Sequence, residues 1–466
     1  MSLIHEVSDI FQNQKFPKKW ITIELNKVLK IQNGFAFKSS NFNSDGIGMP
    51  LIRIRDIKNS TMETFYDGII LEDFIVTEGD LIIGMDGDFN SNFWKGSPAL
   101  LNQRVCRLIP DENFILKKLL YYGLPNYLNK INENTSSTTV KHLSSKSIGE
   151  IPFPLPPLAE QNRIVTKLDT LFAQLETIKA SMAKIPVLLK EFRQQVLTQA
   201  VTGKLTEEWR KGKELGEWNN VLLNDICSSI TDGDHQAPPQ VNEGIPFLVI
   251  SNVSKGYFEF DKVSRFVPKE YYNSLKDTRK PRKGDVLYTV TGSYGIPLLV
   301  DFNKKFCFQR HIAILRPDVN KVSSNFLKII LQSDLILHQS HNVATGTAQL
   351  TVPLGGIKKF EIDLPILNEQ QEIVSRVESL FAKADAIEQQ YLSVKEKIDT
   401  LPQALLHKAF KGELTEQLES DGDARELLQQ IQELKNSTVK PKKATSKKVK
   451  KYPENETVLG MVAEGK

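Results

Sequence analysis

The feature that most constrains this chain is a duplication. Residues 154–207 align without a gap onto 363–416 at a constant offset of 209, and 18 of the 54 positions are identical. Unrelated segments of ordinary composition would share about three. Both copies begin Leu-Pro-x-x-x-Glu-Gln (155–161 and 364–370) and end Gly-x-Leu-Thr (203–206 and 412–415). A fold built from this chain must therefore contain the same structural unit twice.

Within each copy the apolar residues step by 4 and 3. The first runs Ile164, Leu168, Leu171, Leu175, Ile178 and on to Val196; the second runs Ile373, Val377, Leu380, Ala384, Ile387, Tyr391, Val394 and on to Leu405. Such a narrow a/d seam suits a partner helix, and 33 helical residues span about 50 Å. The alternative is two separate amphipathic helices, each packed on its own domain. Pro186 and Pro402 each remove a helical hydrogen bond, so a kink or short break is expected near them. Gly203 and Gly412 read as left-handed helix stops.

The segments before each helix share only a skeleton. Trp20 to Leu25 matches Trp218 to Leu223, Gly48-Met-Pro-Leu-Ile-Arg-Ile-Arg-Asp matches Gly244-Ile-Pro-Phe-Leu-Val-Ile-Ser-Asn, and Asn102-Gln-Arg-Val matches Phe308-Gln-Arg-His. Short β-branched runs between Gly-Asp and Pro-Asp turns predict strands of a mixed or antiparallel sheet. The expected organisation is a module at 1–153, a helix at 154–207, a second module at 208–362, a second helix with a C-terminal helix at 363–436, and a disordered lysine-rich tail at 437–466. Modules alike in frame and different in face suggest two ligands or two half-sites.

Charge supports the idea of local patches. The tail holds eight lysines and three glutamates, so of 60 basic and 56 acidic residues the body keeps 52 and 53. A nearly neutral body would bind nucleic acid only through restricted surfaces. Chemistry is scarce: there is no phosphate-binding glycine loop, no aminomethyltransferase tetrapeptide, and no His/Cys set at metal-ligand spacing among seven histidines and three cysteines. No metal site is expected. Without an 18-residue apolar run or the apolar core of a signal peptide, the chain reads as cytoplasmic and independent of membranes.

The duplicated set resembles the specificity subunit of type I restriction–modification systems. The likeness rests on the paired Leu-Pro-x-x-x-Glu-Gln starts, Leu-Phe-Ala at 171–173 and 380–382, the Gly-x-Leu-Thr ends, Gly34-Phe-Ala-Phe-Lys-Ser and Gly346-Thr-Ala-Gln-Leu. It covers about 15–436. Thr138-Thr-Val-Lys-His departs from a glycine-containing loop, and the lysine tail is not general to the family. The resemblance implies an α+β fold in which two mixed α/β target recognition domains alternate with two long helices that pair as an antiparallel coiled coil. It implies a non-catalytic subunit that reads a bipartite double-stranded DNA sequence and binds two methyltransferase subunits and motor-nuclease subunits. S-adenosylmethionine, ATP and Mg belong to those partners, with no cofactor in this chain.

Base and phosphate contacts call for forked donors, hydroxyls and charge. The candidates in the first module are Lys38, Ser39, Arg53, Arg55, Gln103, Arg104, Thr139, Lys141 and His142. Those in the second are Ser251, Asn252, Gln309, Arg310, His311, Thr347, Gln349 and Thr351. Glu160, Gln161, Glu369 and Gln370 are candidates to face the methyltransferase, although acids at a helix N-terminus are favoured by the dipole anyway. Trp20 and Trp218 read as core anchors. Two competing readings are a protein–protein scaffold on a coiled-coil spacer and an enzyme with a site around His311 or Asp285.

Overall fold

The structure is a computed structural model and describes residues 15–134, 141–235, 237–347 and 349–438. The chain divides into two compact units: residues up to Leu175 together with those from Thr400, and Glu176–Asp399. Each unit therefore joins one module to the start of one long helix and the end of the other.

In the first unit a four-stranded antiparallel sheet has the order Leu29–Asn33, Val105–Pro110, Leu81–Gly84, Ser91–Phe93. Its central strands are buried on both faces, and their alternation divides the side chains between two cores. Leu81, Ile83, Cys106 and Leu108 face the core that holds Leu119, Leu120 and Leu124 of helix Lys117–Asn134. Ile82 and Val105 face a second core with Ile52, Trp94 and Leu101. A five-stranded sheet continues from there, and in it Met49–Ile52 and Ala99–Leu101 run parallel, with Ile52 opposite Leu101. A two-stranded pair, Ile21–Glu24 with Pro152–Leu155, closes the module and leads directly into the helix.

The second unit repeats this plan. Its four-stranded sheet runs Cys227–Asp232, Ile312–Pro317, Val286–Thr289, Pro297–Leu299. Val286, Tyr288, Ala313 and Leu315 point to one core, and Leu287, Ile312 and Ile314 point to another. Ile245–Leu248 and Cys307–Phe308 form the parallel pair, and Asn219–Leu222 with Glu361–Leu364 closes the module.

The first long helix is broken near Pro186 into Leu158–Met182 and Ile185–Val201, with the proline in the first turn of the second piece, where its missing N–H costs nothing. The second, Leu367–Lys411, runs unbroken through Pro402. Inside the first unit, Lys167 Nζ donates to Leu414 O at 2.8 Å, and Arg163 binds Asp421 and Glu416 O. Inside the second, Arg193 Nη2 lies 2.7 Å from Asp385 and 2.8 Å from Glu388. In the first unit the start of the first long helix thus lies beside the segment that follows the second, and in the second unit the end of the first lies beside the early part of the second. Glycines stop both repeats: Gly203 and Gly412 lie at φ +76° and +74°.

The seam is not uniform. Ile164, Leu168, Leu175, Ile373 and Val377 are buried, Leu171 and Leu380 partly so. Ile178, Ile387 and Val394 are 45%, 50% and 43% exposed. This corrects the expectation of a continuous buried seam. Residues near the modules enter their cores, as the alternative of helices packed on their own domains requires, and farther along burial is mixed, with Leu189 and Ile398 buried again.

Candidate nucleic-acid interface

Strand register decides which residues share a surface. In the first module Phe35 N donates to Leu101 O at 2.9 Å, Met85 N to Arg104 O at 2.9 Å, Gly87 N to Lys141 O at 3.2 Å and Leu143 N to Met85 O at 2.7 Å. The segments around Phe35–Lys38, Met85–Phe89, Asn102–Arg104 and Lys141–His142 thus meet at one end of the central sheet. Arg53 joins them, because it follows Ile52, whose parallel partner Leu101 precedes Asn102. The second module builds the same rim. Asp234 N donates to Phe308 O at 3.1 Å, Val290 N to His311 O at 2.9 Å, Gly292 N to Leu350 O at 3.1 Å and Val352 N to Val290 O at 2.8 Å.

Most of the proposed DNA-binding residues of both modules fall on these rims. Lys38, Ser39, Arg53, Gln103, Arg104, His142, Arg310, Thr347 and Gln349 are exposed, while Lys141, Gln309, His311 and Thr351 are partly buried. Thr139 lies outside the described residues. Arg55 and Ser251 occupy equivalent exposed positions one residue before a buried cap, and Arg55 is drawn to Glu63 at 3.3 Å. Lys141 is tied inward, its ammonium 2.7 Å from Asn132 O and 2.6 Å from Asn132 Oδ1.

Three expectations require correction. Asn252 is 5% exposed, and its Oδ1 accepts from Val249 N at 3.0 Å; the equivalent Asp56 accepts from Arg53 N at 2.8 Å. Both close a local turn, so Asn252 has no edge to offer a base. Second, the two Gln-Arg pairs are one residue out of step. Leu81 opposes Leu108 and Val286 opposes Leu315, so Asn102-Gln103-Arg104 stands where Gln309-Arg310-His311 stands. Similar letters gave a false alignment that strand pairing removes.

Third, Glu160, Gln161, Glu369 and Gln370 face no partner, because all four are at most 1% exposed. Gln161 Nε2 donates to Phe114 O and Pro156 O, both at 2.9 Å, and its Oε1 accepts from Leu116 N at 3.0 Å. Gln370 repeats this with Lys321 O, Pro365 O and Ser323 N. Glu160 accepts from Trp20 Nε1 at 2.8 Å, from Thr415 Oγ1 at 3.1 Å and from Gln417. Glu369 accepts from Thr206 Oγ1 at 2.8 Å and pairs with Arg210. A buried carboxylate requires such donors. The repeated Glu-Gln therefore bolts each helix to its module and to the Gly-x-Leu-Thr end of the other copy. Trp20 is buried against Gly412, and Trp218 lies against Gly203, which places both tryptophans in packing.

Sequence reasoning overlooked Asp86, Asp234, His235 and Arg279. Asp86 Oδ2 lies 3.2 Å from Arg104 Nη1, and Oδ1 lies 2.6 Å from His142 Nδ1. Asp234 binds Arg279 at 3.0 Å and accepts from Tyr271 Oη at 2.7 Å, while His235 lies 2.9 Å from Asp232. Burial first, then the bond to Asp234, push the Tyr271 hydroxyl well above its ordinary range, so it remains a donor at neutral pH. Asp86-Gly87 and Thr291-Gly292 were legible as the turns after matching Gly-Asp strands, and that signal could have found Asp86. Asp285, considered for catalysis, is held at 2.9 Å by both Nε and Nη2 of Arg316 in a buried pair. No cluster of His, Cys, Asp and Glu suited to a metal ion exists among the described residues.

The family model for the type I restriction modification DNA specificity domain matches residues 17–186 and 216–396. The chain is 40% identical over 416 residues to the type I restriction enzyme EcoBI specificity subunit of Escherichia coli, covering 85% of this chain and 87% of that protein. It is 30% identical over 428 residues to the EcoKI specificity subunit of Escherichia coli strain K12, covering 86% and 91%. In fold it is similar to the HsdS subunit of Thermoanaerobacter tengcongensis, with a TM-score of 0.59 at 19% identity over 86% of this chain and 99% of that one. The chain belongs to the type I restriction–modification DNA specificity family.

Proposed function

We propose that this chain, as a specificity subunit and a recognition component instead of an enzyme, reads an asymmetric bipartite double-stranded DNA sequence, one half per module. The observation that carries the reading is the pair of equivalent rims with different side chains. Phe35, Asp86, Gln103, Arg104 and His142 in the first stand where Asp234, Thr291, Arg310, His311 and Thr351 stand in the second. The same frame with different donors and acceptors suits two different half-sites. The long helices act as an antiparallel coiled coil that sets the spacer. Half-sites on one face of B-DNA repeat about every 34 Å, and helices of this length reach that far.

Two methyltransferase subunits, bringing S-adenosylmethionine, and motor-nuclease subunits, using ATP and Mg, assemble on this chain in the cytoplasm. The half-exposed helical residues Ile178, Ile387 and Val394 offer them apolar surface that the buried Glu-Gln pairs do not. No helix among the described residues is long and apolar enough to cross a membrane. The test is adenine-methylation mapping by long-read sequencing in a methylation-free host expressing this chain with its methyltransferase partner. A bipartite motif that appears only when this chain is present supports the reading. Its absence from a folded, assembled complex refutes it, and binding that ignores salt would favour a scaffold, since DNA affinity falls steeply as salt rises.

A further inference from the structure

The two rims share a backbone frame, so a side chain present in one alone belongs to that module's own task. In the first module three segments converge on Asp86. Met85 N holds Arg104 O at 2.9 Å, and Asp86 and His142 form an isolated antiparallel bridge. The Asp86 side chain is only 17% exposed, and its two oxygens are divided between Arg104 at 3.2 Å and His142 at 2.6 Å. Those two side chains are 55% and 50% exposed. The second module has Thr291 and Thr351 there, their hydroxyls 3.3 Å apart, and His311 in place of Arg104.

An ion pair this exposed adds little stability, and a bare carboxylate on a DNA-facing rim would repel phosphates. Its physical use is orientation. A long arginine on a loop loses rotamer freedom when it binds, and a carboxylate that already holds one end of its fork removes part of that cost. A guanidinium so held matches the O6 and N7 acceptors of guanine, the pairing by which arginine reads the major groove. We propose that Asp86 is a positioning residue that holds Arg104 to read a guanine of the first half-site. The proposal rests on the DNA-reading role given above.

The test uses the full chain assembled with its methyltransferase partner and duplexes carrying the bipartite site found by methylation mapping. Each guanine on either strand is replaced singly by 7-deazaguanine, which lacks the N7 acceptor. Wild type should lose about tenfold in affinity at one guanine of the first half-site, within the range a bidentate pair discriminates. Arg104→Met keeps much of the length without any N–H donor, and should abolish that sensitivity there alone. Asp86→Asn should reduce it to about threefold or less and leave the guanines of the second half-site as they were. A merely structural role for Asp86 would weaken every duplex alike and keep the wild-type ratio, which would overturn the proposal. So would a first half-site without a sensitive guanine, or sensitivity that survives Arg104→Met. Failure of wild type to bind any bipartite site would instead refute the specificity reading itself.

Discussion

Two glycines with the same role and nearly the same φ should respond differently to alanine. Gly412 and Gly203 both end a repeat in the left-handed region, at +74° and +76°. That conformation costs an L-residue about 1–2 kcal/mol. At Gly203 the added Cβ would lie 3.4 Å from Trp218 Cζ2, an ordinary contact, so backbone strain is the whole cost. At Gly412 it would lie 2.3 Å from Pro17 Cγ and 2.8 Å from Pro17 Cδ, and a proline ring cannot swing aside. Overpacking of this kind adds about 1–3 kcal/mol. Gly412→Ala should therefore destabilise its clasp by about 2–5 kcal/mol, and Gly203→Ala by about 1–2 kcal/mol. Hydrogen exchange in the native chain checks this locally. Protection of 16–24 and 412–421 in Gly412→Ala should fall about 5- to 150-fold further than that of 200–222 in Gly203→Ala, taking 1.4 kcal/mol as tenfold. Equal losses, or a larger loss at Gly203, would show that the approach of Pro17 does not govern the clasp.

Further outcomes follow from other parts of the molecule. The Arg163 guanidinium bonded to Asp421 holds that carboxyl below the usual carboxylate range. A depressed folded pKa gives stability that is present above the unfolded value, about 3.9, and is lost as pH falls through the folded value. Exchange protection of 412–424 should therefore decline below about pH 4 in wild type, and Asp421→Asn should remove that acid dependence together with the protection it gives at neutral pH. Burial pushes the thiols of Cys106 and Cys307 up to about 12. Alkylation followed by mass spectrometry at pH 8 should find both unreactive in the native chain, each becoming labelled only when its own unit unfolds in denaturant. Replacing residues 15–153 by the corresponding module of a relative should change one half of the methylated motif and leave the other, and methylome sequencing reads the result directly.

The sequence by itself determined the duplication, the helices and the glycine stops. These depend on local periodicity and on φ values that few residues tolerate, so they are written where they act. It also singled out Lys38, Arg104 and His142, exposed polar residues that the fold brings to one end of the central sheet. Tertiary structure alone decided what the Glu-Gln pairs do. A carboxylate at a helix start is equally compatible with solvent and with a buried donor set, and the donors to Glu160 come from Trp20 and from Thr415, 140 and 255 residues away. It also decided which Gln-Arg residues correspond, since register is set by strand pairing and a slip of one residue exchanges the faces. Asp86 gained its meaning in the same way. Its two partners, Arg104 and His142, reach it only after three separate segments have been brought to one end of a sheet, by contacts that no local pattern records.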